Sequence, residues 1–220
     1  MTPNRRQFVA ALATVPLVVQ SASAQRRTPV TTADPVLEQI VAELRALAGE
    51  FENAQPGTRK SLLRAMESTL GAGAAHLQAN YDAGFQAALR RRESRGGRAA
   101  LVHELMLRGH DARQHNMTHE AIDAAMTRAA RQGLSGSFRN VQQTLRRIRL
   151  QAPDQIQAAS LTSVQYDYCA DLNWMISNME GMVMIVCAIA VLEPTWGGEI
   201  PCAALTLALG LLLVQRSWFC

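Results

Sequence analysis

Among 220 residues, no cysteine precedes position 169. The four that follow are too far apart for zinc-ribbon spacing. No stretch alternates apolar and polar residues as a half-buried strand would, and no internal repeat is evident. Aromatic residues make up only 5% of the chain, while alanine and leucine are abundant, a balance that favours helix over sheet. There is no glycine-rich phosphate loop, no nucleophile elbow and no carboxylate pair placed for acid–base work. Gly197-Gly198 is not followed by a helix of phosphate-binding type. The expectation is therefore a non-enzymatic protein without catalytic residues or a cofactor. Arginine clusters occur, but no aromatic residues are interleaved with them, which argues against a nucleic-acid partner.

What is present divides the chain into five stretches. Residues 1–24 have the plan of a secretory signal: Arg5 and Arg6 form a charged start, Val9 to Val19 an apolar stretch too short to span a bilayer. Ala22-Ser23-Ala24 has the small-x-small form of a cleavage site, so the mature chain is expected to begin at Gln25. Arg5-Arg6-Gln7-Phe8-Val9 resembles the twin-arginine export motif, in which paired arginines precede Phe8 and an aliphatic residue. It departs from that motif at Asn4 and Ala10, where Ser or Thr and Lys are usual. The resemblance covers the leader alone. It implies an export machinery as partner and a periplasmic or extracellular destination, where disulfides persist.

Residues 25–33 read as a loose mature N-terminus, and residues 34–151 as a basic all-α region. Asp34-Pro35 is an N-cap followed by proline at the first helical position, and Val36, Leu37, Ile40, Val41, Leu44, Leu47 and Phe51 recur at helical spacing. A second helix is expected from Thr58 to Arg92, with Gly71-Ala72-Gly73 either kinking it or admitting a close neighbour. Arg90, Arg91, Arg92, Arg95 and Arg98 gather around Gly96-Gly97, which reads as a solvated, flexible connection, with an acidic partner as the alternative. A short helix over 99–108 follows. Another begins near Thr118 and stops at Gly133, and Ser135 or Ser137 is expected to cap the next. His110, His115 and His119 form the one cluster with the flavour of a metal site, but Thr118 as a helix start takes away the shared face of His115 and His119; exposed loop histidines, with no metal, are the expectation. Ala152-Pro153-Asp154 breaks the pattern and opens a linker or processing region over 152–164.

Residues 165–220 carry Cys169, Cys187, Cys202 and Cys220. Cys169 and Cys187 are 18 positions apart, as are Cys202 and Cys220, so each pair points off one face of its helix after about five turns. The four positions mirror each other about the midpoint between Pro194 and Thr195. An antiparallel helical hairpin with disulfides Cys187–Cys202 and Cys169–Cys220 satisfies both symmetries. Residues 200–215 lack charge over about 24 Å, short of a hydrocarbon core of about 30 Å. Such a helix is either fully buried or meets lipid. Five acids (Asp167, Asp171, Glu180, Glu193 and Glu199) face one base, Arg216, in this tail, so the acidic tail and the basic middle are expected to touch.

The fold expected is thus all-α: a small helical bundle followed by a stapled hairpin. Leader, polar helical middle and apolar cysteine-bearing tail together resemble the layout of exported peptide bacteriocins, without a diagnostic motif of any such family. That layout implies an exported precursor of a membrane-active, antimicrobial hairpin peptide, with membrane lipid as its partner. The alternative is a structural or binding protein of the cell envelope whose hairpin is a core or docking element, with an envelope protein as partner.

Overall fold

A computed structural model describes residues 34–108, 118–151 and 163–220. The export-signal residues Arg5, Arg6 and Phe8, the cleavage residues Ala22, Ala24 and Gln25, and His110 and His115 lie outside the described residues, as does most of the linker. The described chain is all-α: six helices, two disulfides and no strand among the described residues.

Helix α1 (Pro35–Asn53) starts where Asp34 caps it. One carboxylate oxygen accepts the amides of Val36 and Leu37 at 3.1 and 3.0 Å. Its apolar stripe, Leu37, Ile40, Leu44, Ala48 and Phe51, is buried. Helix α2 (Pro56–Asn80) buries Leu63, Met66, Leu70, Ala74 and Leu77 at the same spacing.

The long second helix expected from the sequence is broken at Tyr81, and α3 (Asp82–Arg108) begins after it. Tyr81 leaves helical geometry (φ −124°, ψ −32°), and its hydroxyl donates to Asp34, 2.7 Å away, where His76 Nε2 also sits at 2.6 Å. This network ties the start of α1 to the end of α2. Burial pushes the Asp34 carboxyl up, but hydrogen bonds from His76, the Leu37 amide and Tyr81 outweigh it and hold it below the ordinary 3.8. A carboxyl depressed in the folded state contributes stability that is present above its unfolded value and is lost as the pH falls through the folded one. Asp34→Asn is therefore expected to cost about 1 kcal/mol at neutral pH. The gap between the two proteins in acid-titrated denaturant melts should close below pH 3.8. A gap independent of pH would refute the charge-based account.

Gly71 and Gly73 turn out to serve close approach rather than a kink. A Cβ at Gly73 would lie 2.7 Å from the Phe138 ring and 3.3 Å from Ile40. The bare backbone lets α4 (His119–Gln151) press onto α2, and this is the most extensive helix contact among the described residues. The 99–108 segment is the end of α3 beyond a break at Gly97 (φ 79°, ψ 164°). The first helical half of α4 stops at Gly133, as expected, where the backbone leaves helical geometry (φ 64°, ψ −174°), and a second half starts after the kink. Neither Ser135 nor Ser137 caps the second half; Asp82 of α3 does, accepting the amides of Leu134 and Ser135 at 2.7 and 3.1 Å and the Ser135 hydroxyl at 2.6 Å.

Helices α5 (Ser163–Leu192) and α6 (Glu199–Phe219) are joined through a 3-10 turn at Pro194–Trp196. Cys187–Cys202 links them beside the turn and Cys169–Cys220 at the far ends, with Cα separations of 4.9 and 5.7 Å. Two helices so linked run side by side in opposite directions. Ile185, Val186, Ile189, Ala204, Leu205, Ala208 and Leu212 are fully buried. The described residues belong to one compact unit, Ala33–Cys220, in which α5 packs on α4 and α6 packs on α1.

Candidate binding cleft and charged latch

Two features stand out from the packed interior. The first is a cleft between α4 and α5, with an empty volume of about 340 Å³ counting its open mouth. Met175, Met179 and Met182 form an apolar floor, unbranched side chains that adapt to irregular shapes. Met179 and Met182 are nearly inaccessible, whereas Trp174 at the rim is 63% exposed. The α4 wall brings Arg128, Gln132, Ser137 and Asn140. Asn140 donates to the Gln132 side-chain oxygen at 3.1 Å, and Asn178 on the facing wall donates to its own helix at Trp174 O, 2.9 Å away.

The hydroxyl of Ser137 is buried and has no hydrogen-bond partner, and the same is true of Arg128 Nε. Ser137 is 3% exposed. Thr127, Thr144 and Thr206 in comparable helical settings all donate to a carbonyl one turn earlier. Buried polar atoms are nearly always satisfied, so these two orphans in residues beside the cleft are exceptions.

The second feature is a latch at the turn of the stapled pair. The Glu193 side chain is 7% exposed and meets three arginines of α3: Arg95 Nη1 at 2.7 Å, Arg92 Nε at 3.1 Å and Arg91 Nε at 3.5 Å. Arg92 also donates to the Leu192 carbonyl. Trp196 completes the contact, its ring centroid 5.4 Å from that of Phe85. The arginines around Gly96-Gly97 are thus not a flexible connection. They lie on a helix and serve an acidic partner inside the chain, and Arg98 turns to Asp123 and Thr127 of α4. Arg147 reaches Asp171 at 3.1 Å, so the basic middle and acidic tail touch at both ends of α5.

Glu193→Gln should lower stability by about 2 kcal/mol, less than the 3–5 typical of a broken buried pair, because Arg91 and Arg95 are 45% and 60% exposed and can turn to water. Thermal melts at two salt concentrations check this. An unchanged melting temperature would mean that the latch holds nothing.

Cys169, Cys187, Cys202 and Cys220 form the bridges expected, and no described cysteine is free. The two bridges accord with an oxidising environment. His119 stacks on His103 at 6.0 Å, and no group of three metal-ligating side chains occurs among the described residues. By length and composition Cys169–Leu192 is able to cross a membrane, yet 61% of that window is buried within the protein. Of the residues lining the cleft, the sequence points to Met175, Met179 and Met182, which with Met184 form an adaptable apolar surface on the first tail helix, whereas Arg128 carries no signal there and Ser137 reads only as one of two candidate caps. Comparison with protein-family descriptions, curated proteins and solved structures finds no match to this chain.

Proposed function

We propose that this chain is an exported, non-enzymatic binding protein of the cell envelope, in which the stapled helix pair is the core and one wall of the ligand cleft. The observation that carries this reading is the burial of the pair. Its apolar residues, from Leu172 through Ile189 and from Ala204 to Leu212, are packed inside the same core as α1, α2 and α4. A hydrophobic pair used as a core element has little left to offer a bilayer. The twin-arginine-like leader supports periplasmic delivery of a protein already folded, which suits two disulfides closed outside the cytoplasm.

The precursor reading retains one observation. Arg91, Arg92 and Arg95 grip Glu193 at the turn, a contact with which a basic pro-region would shield an apolar peptide until cleavage within 152–164. One experiment separates the two: intact mass measurement, without reductant, of the species recovered from the envelope and the medium. A chain running from Gln25 to Cys220 supports the binding protein. A released fragment beginning between 152 and 165 and still holding both bridges overturns it in favour of the membrane-active peptide.

A further inference from the structure

We infer that Arg91 and Arg95, drawn together at the latch by Glu193, form a surface site for a phosphate group in its dianionic form, free or as a monoester. This deepens the binding-protein reading and rests on it, because cleavage within 152–164 would part α3 from the turn that carries Glu193. The three arginines of the latch converge on one carboxylate, Arg92 and Arg95 on Oε1 and Arg91 on Oε2. Arg92 is the least exposed of them and is also anchored on the Leu192 carbonyl, so it alone matches the charge of Glu193. Arg91 and Arg95, one turn apart on α3, are then in excess, and no other described carboxylate forms an ion pair with either. Two unmatched positive charges complement the roughly −1.5 to −2 of a phosphate monoester.

Stability alone does not account for this excess. Arg91 and Arg95 are 45% and 60% exposed, so their ion pairs with Glu193 return little, while their like charges repel one another. Three guanidinium forks also carry more N–H donors than two carboxylate oxygens can accept. The donors left over on Arg91 and Arg95 belong to side chains open to solvent, and such forks pair with phosphate oxygens two at a time. The site is set before any anion arrives. Arg92 on the Leu192 carbonyl and Trp196 against Phe85 fix the turn on α3, which lowers the ordering cost of binding.

The test uses the full mature protein with both bridges closed and inorganic phosphate as probe, titrated by calorimetry at constant ionic strength in chloride. Saturable binding of one phosphate per chain is expected, weakened about tenfold by Arg91→Gln and about tenfold by Arg95→Gln. Arg90→Gln removes the same charge from an exposed position outside the latch and should leave the affinity unchanged. At ten times the dissociation constant, phosphate should raise the melting temperature of the parent by about 3–6 °C, and that of the Arg91→Gln, Arg95→Gln double variant hardly at all. Dimethyl phosphate, which carries one charge, should bind more weakly. Flotation with phosphatidylcholine vesicles containing phosphatidic acid or phosphatidylglycerol assigns the source. Capture by phosphatidic acid alone, reversed by inorganic phosphate, supports a monoester headgroup. Saturable phosphate binding without capture supports free phosphate.

Neither phosphate binding nor selective capture overturns the proposal. So does equal weakening by Arg90→Gln, or equal capture by both anionic lipids, since bulk charge would then suffice. In these cases an intact, uncleaved protein in the envelope leaves the broader binding reading standing. A released C-terminal fragment removes that reading and this site with it.

Discussion

Replacing Cys169 and Cys220 together by alanine will lower the melting temperature by about 8–16 °C, a loss of about 4 kcal/mol in a domain of this size. The same change at Cys187 and Cys202 will cost less, about 3 kcal/mol. The difference comes from the unfolded chain. The far bridge spans 51 residues and the near one 15, and closing a longer loop removes more unfolded-state entropy. Native contacts act in the same direction. Beside the near bridge, the turn is also held by the Glu193 latch and by Trp196 on Phe85, so the ends stay together without sulfur. At the far end the neighbouring charge contact is Arg147–Asp171, whose side chains are 62% and 64% exposed and worth little. Melts of the two double variants and of the fully reduced protein check the order. Equal losses, or a larger loss at the near bridge, would show that native strain and not loop closure governs these links.

The mirror spacing of the cysteines made the bridges legible because a helix has a fixed rise and period. Two bridges between straight helices leave little freedom in pairing. Helical stripes were legible for the same reason: Leu37, Ile40, Leu44 and Phe51 announce a buried face from spacing alone. Tertiary capping was not. That Asp82 would cap α4 depends on two segments more than fifty residues apart meeting at one point, and nothing near Gly133 signals it. The cleft was hidden by a related cause. Arg128 and Ser137 are nine residues apart, about two and a half turns, so a straight helix places them on opposite faces. Both line one cleft because the helix changes direction at Gly133 between them. The arginine cluster misled for a different reason. Gly96-Gly97 looked like a linker, but only Gly97 leaves helical geometry, and the arginines before it keep their helical register against Glu193.

Gly133→Ala tests that bend, and a loss of about 1.5–5 kcal/mol is expected. Gly133 combines φ 64° with ψ −174°, a backbone region that is essentially glycine's alone and costs another residue about 1–3 kcal/mol. A Cβ there would stand 2.7–2.8 Å from three atoms of the Asp82 carboxylate group, so the cap must move. Losing it strips acceptors from Leu134 N, Ser135 N and the Ser135 hydroxyl, worth about 0.5–2 kcal/mol as a cap alone. Strain and cap loss are separable in a double-mutant cycle. In an Asp82→Ala background, Gly133→Ala should cost only the backbone strain, leaving a coupling of at least about 0.5 kcal/mol between the two sites. Strictly additive losses would mean that the carboxylate and the glycine do not meet. The bend also sets the cleft, because it brings Arg128 and Ser137 to one wall.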